Sequence, residues 1–139
     1  MEPTSPRPSA ARLQELPLFA DLTLGECERI SAWSEEVEFA PGRVIAREGT
    51  HAYSFFVILD GTASVSHGES VVRTLGPGDH FGEKAILESG LRTATVTAAD
   101  RVTAMAMIGF NFRELERHFP SVASRIDGDA EAWGQADLA

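Results

Sequence analysis

Cysteine is almost absent from this 139-residue sequence: Cys27 stands alone. One thiol excludes an internal disulfide framework and a cysteine-based zinc knuckle. No apolar run approaches the roughly 18 residues that cross a bilayer as a helix. The first residues also lack the basic-then-apolar pattern of a secretory signal. A cytoplasmic protein with no membrane partner is therefore expected. Positive charge is sparse, with 12 Lys and Arg against 21 Asp and Glu for a net charge of −9. Such a surface repels nucleic acid unless basic residues cluster. Here they are scattered, so no direct nucleic-acid binding is expected. The four histidines, His51, His67, His80 and His118, form no His-x-His pair, which argues against a metal-binding roll and against a bound metal. There is no nucleophile elbow, zinc-binding helix motif or Walker loop. No internal repeat is visible, and no cofactor is implied.

What the chain does contain is ordinary globular material: 43% apolar and 24% charged residues, in a length that suits one domain with its own core. Residues 1–12 hold three prolines and no apolar period, and a disordered tail is expected there. The domain proper is expected over residues 13–127, with 128–139 the end of a C-terminal helix and a tail. Thr23-Leu24-Gly25-Glu26 is a capping-box pattern. It opens a helix whose Leu24, Cys27, Ile30 and Trp33 recur at helical spacing. From Glu35 the period becomes two. Strands are expected around Val37 and Phe39, Val44–Arg47, Tyr53–Leu59, Thr62–Ser66, Ser70–Leu75, the Thr-rich segment after Arg92, and Arg101–Ile108. Asp60-Gly61 predicts a two-residue hairpin. Val102, Ala104, Ala106 and Ile108 are expected to share one face. Asn111 is a candidate helix cap with Phe110 stapled onto Leu115, and Pro120 starts the last helix. About eight short strands with helices at the ends read as a mainly β fold, an antiparallel double-sheet jelly roll or β-roll, with one short helix inserted before the Thr-rich strand.

That insertion, within Gly76–Ala98, concentrates the chemistry. At Phe81-Gly82-Glu83-Lys84-Ala85 a strand gives way to a helix start. The first helical amides lack intrahelical partners and attract an anion. Gly82 lets a ligand approach the backbone. Glu83, acceptor-only when ionised, suits a donating hydroxyl. Arg92 offers a fork of donors matched to phosphate oxygens, and Thr93 adds a hydroxyl. Strict alternation, however, puts Arg92, Ala94 and Val96 on one face and Thr93 on the other. The plainer alternative is that Arg92 and Glu83 simply form a surface ion pair.

Phe81-Gly82-Glu83-x-Ala85, followed after a short loop by Arg92-Thr93-Ala94-x-Val96, resembles the phosphate-binding cassette of cyclic nucleotide-binding domains. Pro41-Gly42, Arg47-Glu48-Gly49, the aromatic-rich strand before Asp60-Gly61, and Gly76-Pro77-Gly78-Asp79 are similar to that family as well. The likeness spans about residues 15 to 126. It implies a β-roll flanked by helices and a cAMP or cGMP ligand bound without turnover, so no enzyme is expected. It further implies that Glu83 binds the ribose 2′-hydroxyl, and that Arg92 with the backbone amides from Gly82 through Lys84 to Ala85 binds the cyclic phosphate. Thr93, next to Ala94, is implied at the phosphate or the purine, where a threonine is associated with cGMP preference. Ile126 and Trp133 are candidates to cover the base, the alternative being that they pack against the roll or a partner chain. The expected protein is a small sensor that signals through its C-terminal helices to a separate protein effector and has no output domain of its own. A homodimer through the terminal helices is also open. The alternative is an interaction or dimerisation module that keeps the roll and ignores nucleotides.

Overall fold

The apolar run after Tyr53 forms β3 (Ser54–Asp60), and its alternation explains the whole architecture. Phe55, Val57 and Leu59 point to a core shared with the helices, while Phe56 and Ile58 point to a core between two sheets. A strand buried on both faces reads as a continuous apolar run, as this one does. The computed structural model describes residues 6–83, 85–86 and 90–133. In chain order these form α1 (Ala10–Gln14), a 3-10 turn (Pro17–Phe19), α2 (Leu24–Ala32), β1 (Glu35–Phe39), β2 (Val44–Ala46), β3, β4 (Ala63–His67), β5 (Ser70–Leu75), β6 (His80–Phe81), β7 (Thr95–Ala98), β8 (Val102–Ile108), α3 (Gly109–His118) and α4 (Pro120–Trp133).

The described strands make two four-stranded antiparallel sheets, ordered β1-β8-β3-β6 and β2-β7-β4-β5. Between them lie Phe56, Ile58, Val65, Leu75, Phe81 and Val96, with the alanines of β7 and β8. On the outer face of the first sheet, Phe55, Val57, Met105 and Met107 pack against Leu13, Phe19, Ile30, Phe112, Leu115, Val122 and Ile126 from the helices. The β-roll with flanking helices is therefore as expected. β8 is buried on both faces rather than one, and Ile108 at its end is exposed.

Several local expectations need correction. Asp60-Gly61 closes no hairpin, because β3 pairs with β6 and β8 whereas β4 pairs with β5 and β7. The turn carries the chain from one sheet to the other. Gly61, at φ +86°, passes against the carbonyl of Arg101, where a Cβ would collide. Thr62 N then donates to Asp100 Oδ1 at 2.7 Å, which fixes the crossing. The Thr23–Glu26 capping box does form, with both reciprocal bonds near 3 Å. Leu24, beside it, lies in the exposed first turn rather than on the apolar face. Asn111 does not cap α3: the helix follows directly from β8, and Asn111 Nδ2 donates to the Trp33 carbonyl at 3.1 Å. Phe110 is exposed rather than stapled. Where a tail to residue 12 is expected, the described chain is anchored from Pro6, whose carbonyl accepts from Glu36 N at 2.7 Å. Ser31 Oγ donates to the Pro8 carbonyl, and Ser9 caps α1.

Candidate functional site

Two backbone pairings bring the cassette together. In the first, β6 lies against β3 with His80 opposite Val57 and Phe81 opposite Phe56. That register delivers Gly82 to the carbonyl of Ser54. In the second, the loop after β2 grips the segment before β7. Gly49 N donates to the Arg92 carbonyl at 2.9 Å, Arg92 N to Thr50 O at 2.8 Å, and Ala52 N to Gly90 O at 2.8 Å. Held on both sides, Arg92 aims inward. Its Nη2 donates to the Ser54 carbonyl at 2.6 Å, and its guanidinium lies 5.9 Å from the centroid of Phe56. Gly82 sits directly behind it at φ +102°, where a Cβ would fall 2.5 Å from Arg92 Nη1 and 2.8 Å from the Ser54 carbonyl oxygen. Only a glycine lets the backbone and the guanidinium approach so closely. Glu83 begins the helical turn, in which Ile86 N reaches the Gly82 carbonyl and Gly90 N the Ala85 carbonyl.

Both charged members are buried, Glu83 to 4% and Arg92 to 6% exposure. They form no ion pair within 4 Å, so the surface-pair alternative does not describe them. Burial pulls the Arg92 guanidinium below its ordinary value, and the Glu83 charge opposes the fall. An arginine keeps its proton regardless. Arg92 Nη1 is buried and meets no acceptor among the described residues. A buried donor without an acceptor costs free energy, and an incoming anion would relieve it.

Arg92 borders an open cleft of about 570 Å³, walled by β2 and the loops beside it: Arg43, Arg47, Thr50, His51, Tyr53 and Phe56 are among its lining residues. Among the described residues the lining includes three arginines and no carboxylate, a local reversal of the chain's net charge of −9. Such a cleft concentrates anions.

Of the residues singled out by sequence, Gly82, Glu83, Ala85, Arg92 and Ala94 are gathered and buried. Gly82, Glu83 and Ala85 stand behind Arg92 and do not themselves line the cleft. Thr93 is exposed, and the alternation of Arg92, Ala94, Val96 and Ala98 on the buried face persists through it. Lys84 and the Trp133 side chain lie outside the described residues. Ile126 is fully buried in the helical core, not at the cleft. The role of His80 was not legible from spacing. The ring is 1% exposed, with Nδ1 3.5 Å from Glu83 Oε2 and Nε2 2.9 Å from Asp129 Oδ2 on α4. Its position three residues before Glu83 was the available hint. Among the described residues no cluster of three or more His, Cys, Asp or Glu could hold a metal, and no helix is long and apolar enough to cross a membrane.

Comparison with known proteins adds independent findings. A family model described as a cyclic nucleotide-binding domain matches residues 36–118. A cAMP-dependent protein kinase regulatory subunit of Hypocrea atroviridis is 39% identical over 99 residues, which cover 71% of this chain and 21% of that protein. A cGMP-dependent protein kinase of Drosophila melanogaster is 32% identical over 125 residues, covering 84% of this chain and 13% of that protein. The chain thus spans only an eighth to a fifth of the length of these relatives. A solved structure of a putative cyclic nucleotide-binding protein from Geobacter metallireducens superposes with TM-score 0.75 at 26% identity, covering 95% of this chain and 99% of that one. The catabolite activator protein of Thermus thermophilus shares the fold, with TM-score 0.74 at 23% identity over 84% of this chain and 57% of that one.

Proposed function

We propose that this chain, which belongs to the cyclic nucleotide-binding domain family, binds a cyclic mononucleotide, cAMP or cGMP, as a sensor without turnover. The observation that carries the reading is Arg92: a buried guanidinium with one nitrogen that meets no acceptor among the described residues, bordering a cleft whose described lining holds three arginines and no carboxylate. A cyclic phosphate is a monoanion and needs one such guanidinium plus backbone amides, here those of Gly82 to Ala85, Lys84 included. A triphosphate would demand more cations or a metal. Glu83 accepts the ribose 2′-hydroxyl, the role an acceptor-only carboxylate fits. Ala94 is buried in the core between the sheets and does not line the cleft. Thr93, exposed beside Arg92 and not among the residues that line the cleft, bears on the choice of base by the family resemblance alone. Named relatives include both a cAMP-dependent and a cGMP-dependent kinase, so both ligands stay in the proposal.

Binding is read out through α3 and α4 by a separate protein effector in the cytoplasm. The ligand moves those helices only as far as it binds one helix arrangement better than the other. A thermal-shift titration tests the binding. At 100 times Kd a ligand adds about 2.7 kcal/mol, which raises Tm by roughly 10 °C in a domain of this size. cAMP or cGMP is expected to do so and linear 5′-AMP to do much less. No shift with either cyclic nucleotide at millimolar concentration would overturn the reading. A second reading, a nucleotide-independent docking or dimerisation module, is favoured by one observation. Tyr53, Ile108 and Phe110 are exposed together where β3 begins and β8 ends, joined by the bond from Gly109 N to the Tyr53 carbonyl. It predicts self-association or partner binding that is unchanged by nucleotide.

A further inference from the structure

His80 is the residue whose surroundings the binding reading leaves unexplained. It is buried to 1% exposure, yet it is a titratable ring placed between two carboxylates from distant parts of the chain. Glu83 belongs to the cassette turn. Asp129, half exposed, belongs to α4. The ring also lies 5.7 Å from Phe55, which stacks at 4.6 Å on Phe112 of α3. α4 is pinned earlier along its length by Val122 and Ile126 in the core, and by Arg125, which reaches the Leu18 carbonyl and Asp21. The His80–Asp129 contact holds the helix beyond those anchors.

We propose that His80 is a positioning residue: its ring clasps the pocket carboxylate Glu83 on one side and Asp129 of α4 on the other, so that the docking of α4 and the setting of Glu83 form one proton-dependent equilibrium. The chemistry is that of an imidazolium, which can donate from both nitrogens at once, whereas the neutral ring donates from only one. In the protonated form the ring holds Asp129 by a charge-assisted hydrogen bond at 2.9 Å and Glu83 by charge at 3.5 Å; in the neutral form the charge is lost and both attractions weaken. The groups facing the ring include, among the described residues, Glu83 from its own turn, Asp129 from α4 and the uncharged Phe55 from β3. Glu116 of α3, its carboxyl pushed up by burial and by Asp127 against the opposing Arg113, also feels the Glu83 charge. Burial pulls the His80 value down, but the Glu83 and Asp129 carboxylates together outweigh it and the net direction is upward. A raised value means that the clasp is complete below the ordinary histidine range near 6.5 and is lost as pH rises through the higher folded value. The clasp itself needs no ligand; its coupling to a nucleotide rests on the role proposed for Glu83.

Hydrogen exchange of the full chain, read at the α4 amides near Asp129 and corrected for intrinsic pH dependence, tests it without ligand. Protection is expected to fall at least fivefold between pH 5.5 and 9. Asp129→Asn, at an exposed position that spares the core, is expected to abolish that fall and to lower the His80 titration midpoint seen by NMR. Asp129→Glu is expected to restore part of both. An unchanged His80 midpoint and unchanged pH dependence in Asp129→Asn would overturn the clasp. Saturating cAMP or cGMP is then added. A change in α4 exchange in the wild type that is lost in Asp129→Asn supports the coupling, and the same change in both proteins overturns it. If neither nucleotide binds while the pH dependence persists, the nucleotide role of Glu83 fails and the clasp stands.

Discussion

Replacing Arg92 with alanine removes the group on which the binding account depends most. Its consequence can be sized from the geometry. Nη2 is already committed to the Ser54 carbonyl at 2.6 Å, while Nη1 has no acceptor among the described residues. A phosphate therefore gains one charge-assisted hydrogen bond at Nη1, and a second only if Nη2 leaves Ser54. At about 1.5–3 kcal/mol per charged hydrogen bond, and allowing for a partial second, the loss is about 2–4 kcal/mol. That corresponds to roughly 30- to 700-fold in Kd. Folding should survive. The variant strips a donor from the Ser54 carbonyl and a counter-charge from Glu83, but it also relieves the burial of a cation, so the stability change is expected to stay near about 1 kcal/mol. Calorimetric titration of cAMP and cGMP into Arg92→Ala, with circular dichroism to confirm the fold, measures the effect. Arg92→Lys keeps the charge but not the fork and is expected to fall between the two. Affinity of Arg92→Ala within threefold of wild type would refute the reasoning, because a buried cation that makes no difference to an anion is not its site.

Gly82→Ala places a methyl 2.5 Å from Arg92 Nη1 and 2.8 Å from the Ser54 carbonyl at φ +102°; it is expected to cost about 1–3 kcal/mol in strain and to weaken nucleotide binding more than tenfold, measured by thermal melting and titration together. Gly61→Ala drives a Cβ into the Arg101 carbonyl at φ +86°. A stability loss of about 2 kcal/mol or more is expected, with the affinity of the folded fraction unchanged, since the crossing lies away from the cleft. Thr93→Ala is expected to lower cGMP affinity while cAMP affinity stays within about threefold, on the 1.4 kcal/mol-per-decade scale; equal losses for both would put the side chain on the phosphate instead. Cys27, fully buried and with its thiol pushed up by burial, is expected to resist alkylation in the native chain and to react on unfolding.

The parts of the fold legible in sequence are those set by neighbours along the chain. The Thr23–Glu26 box and the Pro120 start need only a few adjacent residues. The double alternation of Phe55 to Leu59 declares a strand buried on two sides. Gly82, Glu83 and Ala85 come together for the same reason, since they share one turn and Arg92 follows within ten residues, whereas their reading as a phosphate-binding cassette comes from the family resemblance. Asp60-Gly61 misled because a turn signal specifies local dihedrals and not which strand the chain joins next. Gly61 was needed for a close passage past Arg101, which is far along the chain. Asn111 has capping chemistry, but a strand feeding directly into α3 left its side chain to find the Trp33 carbonyl. The His80–Asp129 contact joins residues 49 apart in sequence, and no periodicity relates them. Long-range polar pairs of this kind emerge only once the helices are docked.

The most direct test of the central claim is the crystal structure of the chain with cAMP or cGMP bound. The account predicts one nucleotide in the cleft, with a cyclic phosphate oxygen within about 3 Å of the Arg92 guanidinium and the ribose 2′-hydroxyl at similar distance from the Glu83 carboxylate. An empty cleft at saturating nucleotide, or a nucleotide that leaves Arg92 and Glu83 untouched, would contradict it.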